Sequence, residues 1–390
     1  MIDVAAVRAD TPGCAQVVHL NNAGAALPSR AVVQTVVAHL EREAAIGGYE
    51  AATEAGERTE AVYDSVASLV GADRDEIAVV ESATRAWTVW FSALRFAPGD
   101  RLLTHRVEYA SNFLPMLQAA ARDGAEIHVV PSAPTGEIDV DALAGMLDER
   151  VRLVALTHVP SQSGLVNPAA AVGAVTRAAG VPFVLDACQS AGQLPLSVAD
   201  VGCDVLVATG RKYLRGPRGT GFLYVRRSYL DTLVPYGVDL RGAEWSAPSE
   251  YRLRPDARRF EHWERSIACV LGLGVAVDQA LALGVDDIRI RVQQLAAGLR
   301  DRLARYSGIV VRDEGRERCG IVTFTVEGEK PGDVVARLRT RGINTYAIDA
   351  STARLDLGAR AIDAVVRASV HYYNTDDELD RVVQVLAERR

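Results

Sequence analysis

The chain has 390 residues, with 43 Lys and Arg against 50 Asp and Glu, for a formal net charge of −7. With no basic run, nucleic acid and anionic membrane surfaces are not expected as partners. No apolar stretch reaches the roughly 18 residues of a membrane span, and five scattered cysteines without a CxxC pattern read as reduced thiols, not a disulfide or metal framework.

Residues 1–20 form a lead-in, and Met1 to Ala5 lack the basic-then-apolar pattern of a secretory leader, so the expected location is cytoplasmic. Asn21-Asn22-Ala23-Gly24 follows a strand end, with residues small enough for close approach to a ligand or for an ordinary turn. Ser29 caps a helical pattern through Ala45, stopped by Gly47-Gly48. Tyr49-Glu50 follows, then a helix from about Thr53 to Val70 with Gly71 as its stop. Ile77 to Val80 reads as a strand. Ser82, Ala83 and Thr84 lead into a helix near Arg85, where free N–H groups suit a phosphate or Ser82 or Thr84 simply caps. Arg101–Thr104, Glu126–Val130 and Arg152–Thr157 are strands, and a helix follows Pro168.

Val181 to Asp186 and Val205 to Ala208 are continuous apolar runs, the pattern of strands buried on both faces. The first ends in the carboxyl group of Asp186. The second stops at Thr209-Gly210, with Arg211 and Lys212 next and a turn over Arg215 to Gly219. Thr220 to Val225 is read as an antiparallel return. Residues 232–260 lack periodicity and read as loops. Helices follow at 266–284 and 286–306, then strands at 309–311, 320–326 and 344–348, with helices from Lys330 and Asp376. The alternation from Ile77 to Val225 predicts an α/β fold, a mostly parallel sheet covered by helices. The remainder predicts a smaller α+β domain. The expected division is 18–257 for the large domain, with 1–17 and 258–390 for the small one.

Lysines are usually solvated. Lys212, however, falls just past the end of a buried strand, where open α/β sheets bind ligands. Asp186 falls at the same end of another. A lysine for an aldehyde and an acid for a pyridinium nitrogen are what a pyridoxal phosphate enzyme needs.

The motifs extend this pair along the chain. LNNAGAALP (20–28), ESATRAW (81–87), HRVEYASN (105–112), THVPSQSGLVNP (157–168), VLDACQSAGQLPLSV (184–198), ATGRKYLRGPRGTGFLYV (208–225), RRFEHWERS (258–266) and VRASVHYYNTDDELDRVV (366–383) resemble the class V aminotransferase family of fold-type I pyridoxal phosphate enzymes. The resemblance implies a large domain with a seven-stranded sheet, pyridoxal 5'-phosphate as cofactor, no metal, and a homodimer. It implies Lys212 as the Schiff-base lysine, Asp186 on the pyridinium, Ala83, Thr84 and Thr209 near phosphate, Tyr109 as the ring over the cofactor, and Gln189 on the phenolic oxygen. Arg211 stands where desulfurases carry His, and a fixed cation there would lower the Lys212 pKa. Asn22, Tyr49 and Arg367 are implied on the substrate, Arg367 by gripping a carboxylate.

Three departures from the pattern bear on function. Ser161 falls where desulfurases carry asparagine, so Ser161 or Gln162 supplies that hydrogen bond, or neither does. Trp263-Glu264-Arg265 replaces a Gly-Thr whose threonine reaches the partner subunit's phosphate. Ser351 falls where desulfurases and bacterial selenocysteine lyases present a nucleophilic cysteine. The combination of GGYEA (47–51), GRKYLRGPRG (210–219) and FEHWERS (260–266) is similar to C–S lyases of the ergothioneine pathway and implies an S-substituted cysteine, or its sulfoxide, as substrate. Decarboxylation with oxidative deamination, transamination and epimerisation are the alternatives. Tyr49, Arg241, Trp245 and Trp263 are expected to hold the S-substituent or to pack the dimer.

Overall fold

The computed structural model describes residues 2–388. Seven strands build its main sheet: β1 (Ile77–Val80), β2 (Arg101–His105), β3 (Glu126–Val130), β4 (Val151–Thr157), β5 (Phe183–Asp186), β6 (Val205–Thr209) and β7 (Gly221–Val225). Their order is β1-β7-β6-β5-β4-β2-β3. The pairs from β6 to β3 are parallel, whereas β7 runs antiparallel to both β6 and β1. Every residue of β5 and β6 is buried, as their unbroken apolar runs demand. Each Val, Leu or Phe side chain of these strands removed from water contributes about 2 kcal/mol. Trp87 and Trp90 of the Ala83–Phe91 helix fill one face of this core without any exposure.

A second sheet is antiparallel throughout: β8 (Ile309–Val311), β9 (Ile321–Val326), β10 (Tyr346–Asp349) and β11 (Ala364–Ser369), in the order β8-β9-β11-β10. Val18 and His19 pair in parallel with Ile343 and Asn344. The long helix Ile267–Leu283 packs on Arg30–Ile46 and Gly56–Val70. The chain's beginning and end are thereby fastened to one another.

Two stretches differ from the sequence reading. Gly47, at φ 104°, makes the break after Ile46 alone, and Gly48 already opens a short helix, Gly48–Glu54. Residues 232–260 are not all loop: Ala243–Ala247 and Glu250–Leu253 form an exposed hairpin, with Tyr251 opposite Trp245 and Arg252 opposite Glu244. Cross-strand pairs support it without a buried face, and hydrophobic alternation could not signal it.

Candidate active site

The parallel strands end at one edge, and the connections leave β2 in one direction and β4 in the other. Ligands of open α/β sheets bind at such a reversal. Glu108 and Tyr109 follow β2, His158 to Ser161 follow β4, Asp186 ends β5, and Lys212 follows β6. Asp186 and Lys212 therefore stand at the ends of neighbouring strands, as the sequence reading placed them.

Lys212 is 7% exposed, and burial, first of all, lowers its pKa below the usual lysine value. Cys188 and Asp186 oppose the shift, while Arg211 and Arg367 reinforce it. Its Nζ lies 5.9 Å from the centre of the Tyr109 ring. Asp186 is fixed by two donors: Asn112 Nδ2 at 2.6 Å and the Cys188 N–H at 2.8 Å. Behind it Glu108 is buried, accepting from Thr157 Oγ1, the Tyr109 N–H, Asn112 Nδ2 and Thr104 Oγ1. Burial pushes the Glu108 carboxyl above its usual range, with Asp186 adding to the rise. His158, packed at the end of β4, is driven by burial down to about 4 and stays neutral.

Gln189 donates to Ser161 Oγ and to the Ala23 carbonyl, both at 3.0 Å, leaving its buried Oε1 without a partner. This joins two residues that the sequence reading left as separate candidates. Arg211 donates to the Gly24 carbonyl at 2.7 Å. The Thr209 hydroxyl is turned to the Thr220 carbonyl at 3.2 Å. Ala83 opens its helix, Ser82 caps the Arg85 N–H at 3.1 Å, and Thr84 is exposed beside that helix start. A Cβ on Gly221 would lie 2.9 Å from the Ser82 carbonyl carbon and 3.0 Å from the Ala83 nitrogen, so glycine lets β7 approach the helix end.

Arg367 lies on β11, 5% exposed, and burial brings its pKa down to about 10. Nη2 donates to Asn21 Oδ1 at 3.0 Å and Nη1 to the Ser161 carbonyl at 3.3 Å, and Nε has no partner. The Tyr346 ring centre is 5.3 Å from its Cζ.

Several of the expected site residues have other surroundings within the chain. Asn22 is fully buried, bonding the Ser369 carbonyl and the Tyr373 hydroxyl, so Asn21 is the residue that reaches Arg367. Tyr49 is 75% exposed on its short helix, and nothing brings it to Lys212 within the chain. Arg241 and Arg265 point inward to Glu261, each 2.9 Å from Oε2, so both guanidinium groups are engaged within the chain. Glu108, Asn112, Thr157 and Tyr346 were missed, because their role comes from contacts between elements. Cys188, two residues past Asp186 in the same motif, donates its N–H to that carboxylate.

A carboxyl group and an amine at adjacent strand ends, the orphaned amide oxygen of Gln189 three residues past the carboxyl group, and N–H groups at a helix start fit pyridoxal phosphate. Asp186 suits the ring nitrogen, Gln189 Oε1 or Ser161 the edge of the ring, and the Ala83–Thr84 helix start the phosphate.

The sequence profile described as aminotransferase class-V matches residues 18–382. A probable cysteine desulfurase of Xylella fastidiosa is 31% identical over 345 residues, covering 87% of this chain and 82% of that protein. A cysteine desulfurase structure from Thermococcus onnurineus NA1 superposes with a TM-score of 0.92 at 25% identity, covering 100% and 98% of the two chains. The cystine C–S lyase C-DES, in complex with its product cysteine persulfide, superposes with a TM-score of 0.88 at 23% identity, covering 97% and 99%.

Proposed function

The chain belongs to the aminotransferase class-V family, whose members are pyridoxal phosphate-dependent enzymes, and from that premise we propose a C–S lyase acting on S-substituted cysteines or their sulfoxides. The products are a thiol or sulfenate, pyruvate and ammonia. Pyridoxal phosphate supplies an aldehyde for the substrate amine and a ring that withdraws electrons from Cα.

The protein's own groups divide the remaining work. Arg367, buried and paired with no carboxylate among the described residues, offers Nε and its forked N–H groups to the substrate carboxylate. Lys212, its pKa lowered by burial, is suited to take the Cα proton as a base. His158, held neutral by burial, adds no charge at the end of β4, and Asn112 bridges the carboxyl groups of Asp186 and Glu108.

One observation carries the choice of lyase over sulfur transfer. Ser351 occupies the position that resemblance assigns to a sulfur-accepting cysteine, in an exposed turn after β10, and no cysteine follows Cys319. The thiol beside Lys212, Cys188, is pushed well above its ordinary pKa, first by burial and then by Asp186, so it is a poor nucleophile. An S-substituted cysteine needs no acceptor, since its sulfur departs as thiolate. The C–S lyase among the solved neighbours acts on such a compound, cystine. The curated relatives' names favour a second reading, cysteine desulfurase.

Steady-state assays on free cysteine and on S-alkyl and S-aryl cysteines, reading sulfide, thiol, pyruvate and carbon dioxide, separate these. Thiol and pyruvate in equal amounts from a conjugate, with poor turnover of cysteine, is the expected result. Rapid sulfide release from cysteine, unmatched by any conjugate, returns the protein to the desulfurases. Carbon dioxide release with an intact C–S bond assigns it to decarboxylation.

We further propose a homodimer. Tyr49 and Trp263, 75% and 55% exposed, and the stripe Val33, Val37 and Leu40 on the Arg30–Ile46 helix are left uncovered by their own chain. Sedimentation at assay dilution should give a dimer; a fully active monomer contradicts the proposal.

A further inference from the structure

We propose that Arg215 is a positioning residue for Lys212, fixing the turn that carries the amine and setting its place relative to Arg367. The proposal rests on the reading of Lys212 as the reacting amine. Arg215 has φ 64°; Ala361 is the one other described non-glycine residue with positive φ. Left-handed backbone disfavours any side chain, and glycine would adopt it freely. An arginine held there points to work for its side chain.

The backbone of Arg215 closes the turn. Its N–H donates to the Lys212 carbonyl at 2.9 Å, and the next N–H, from Gly216, donates to Gly210 at 2.7 Å. The side chain, 4% exposed, then reaches three distant segments. Nε donates to the Leu27 carbonyl at 2.8 Å, Nη1 to the Tyr372 hydroxyl at 2.7 Å, and Nη2 to Thr11 Oγ1 at 2.6 Å. The guanidinium carbon lies 5.3 Å and 4.9 Å from the ring centres of Tyr372 and Tyr373. Among the described residues no carboxylate pairs with it. All three acceptors are neutral, so direction rather than net charge holds the group, and only a planar fork serves all three.

These segments lead to the other side of the site. The Leu27 N–H donates to the Tyr373 hydroxyl at 3.1 Å, and that hydroxyl bonds Asn22. Asn21, one residue earlier, holds Arg367 at 3.0 Å. The residue at the end of the lysine turn thus anchors the frame on which the carboxylate-gripping arginine sits.

The test uses purified holoenzyme and the variants Arg215→Gly and Arg215→Lys. Glycine keeps the turn's backbone and removes the tethers; lysine keeps the charge and loses the fork. Both should lower kcat by about tenfold or more with a smaller change in KM. Both should also move the pH midpoint of the bound cofactor's absorbance by about half a unit, and hasten cofactor loss on gel filtration. The absorbance and cofactor-loss measurements need no substrate, so they stand even if the lyase assignment falls. A lower Tm with unchanged midpoint, cofactor retention and kcat would overturn the proposal. If Arg215→Gly does not fold, Thr11→Val and Tyr372→Phe each remove one tether: smaller shifts in the same readouts support it, and no shift in either overturns it.

Discussion

Arg241 and Arg265 close around Glu261, whose side chain has no exposure, while Tyr63 Oη lies 2.7 Å and 2.9 Å from its two oxygens and the Val79 N–H donates at 2.8 Å. Arg258 lies over the Tyr63 ring at 3.7 Å and pairs with Glu60. Arg367 is deeper than Arg241 or Arg265 and has an amide oxygen and a carbonyl instead. In the first group every guanidinium has a carboxylate at 2.8–2.9 Å. The second is open, and a buried cation without a counter-charge is unfavourable until an anion arrives. Packing alone gives no reason to keep it, and this contrast is what supports the proposal that Arg367, and not Arg241, binds the substrate carboxylate.

Removing each group should therefore have opposite consequences. Arg367→Ala is expected to cost roughly 10²–10³ in kcat/KM, the equivalent of two charge-assisted hydrogen bonds. The same variant should be as stable as the parent or more stable at neutral pH. The sign follows from its pKa: the folded value, about 10, lies below the ordinary arginine value, so the cation is disfavoured in the fold at every pH below it. Steady-state kinetics and thermal melts on one preparation check both halves, and a large loss of Tm would erase the contrast.

Glu261→Ala should do the reverse. It leaves Arg241 and Arg265 without their shared carboxylate and is expected to cost about 3–5 kcal/mol of stability. Denaturant unfolding measures it, and a loss under about 1 kcal/mol would mean that the cluster is exposed to water in solution.

The smallest effect is expected at Glu108, an acid sharing a buried network with Asp186. Its folded pKa is raised, so its stabilising contribution is present below the ordinary glutamate range and is lost as pH rises through the folded value. Glu108→Gln cannot ionise and should melt above the parent at pH 8, the gap closing toward pH 4. Equal melting curves at both pH values would remove Glu108 from the argument.

The parts of this contrast differ in how legible they were in the sequence. Asp186 and Lys212 could be read because each ends an apolar run, and one dimension suffices to see that. Arg367 came through its motif. The Glu261 cluster could not be read, since Tyr63, Val79, Arg241 and Glu261 come from four separate stretches and meet only through packing. Arg265 looked available for a partner because sequence does not say which way a loop side chain turns. Asn21 and Asn22 are chemically identical neighbours, and only the backbone decides that the second faces Ser369 and the first Arg367.

The antiparallel return of β7 has a consequence for timescale. Residues 210–220 connect two strands hydrogen-bonded to each other, so the segment bearing the lysine is pinned at both ends by one ladder. Most connections in this sheet lead instead through a helix and are free to breathe on their own. Amide exchange at Ala208 and Thr209 requires the sheet itself to open, and such openings approach the cost of global unfolding. The amine thus sits on a segment whose two ends move only with the sheet, and slow exchange at Ala208 relative to the exposed hairpin at 243–253 is the expected signature.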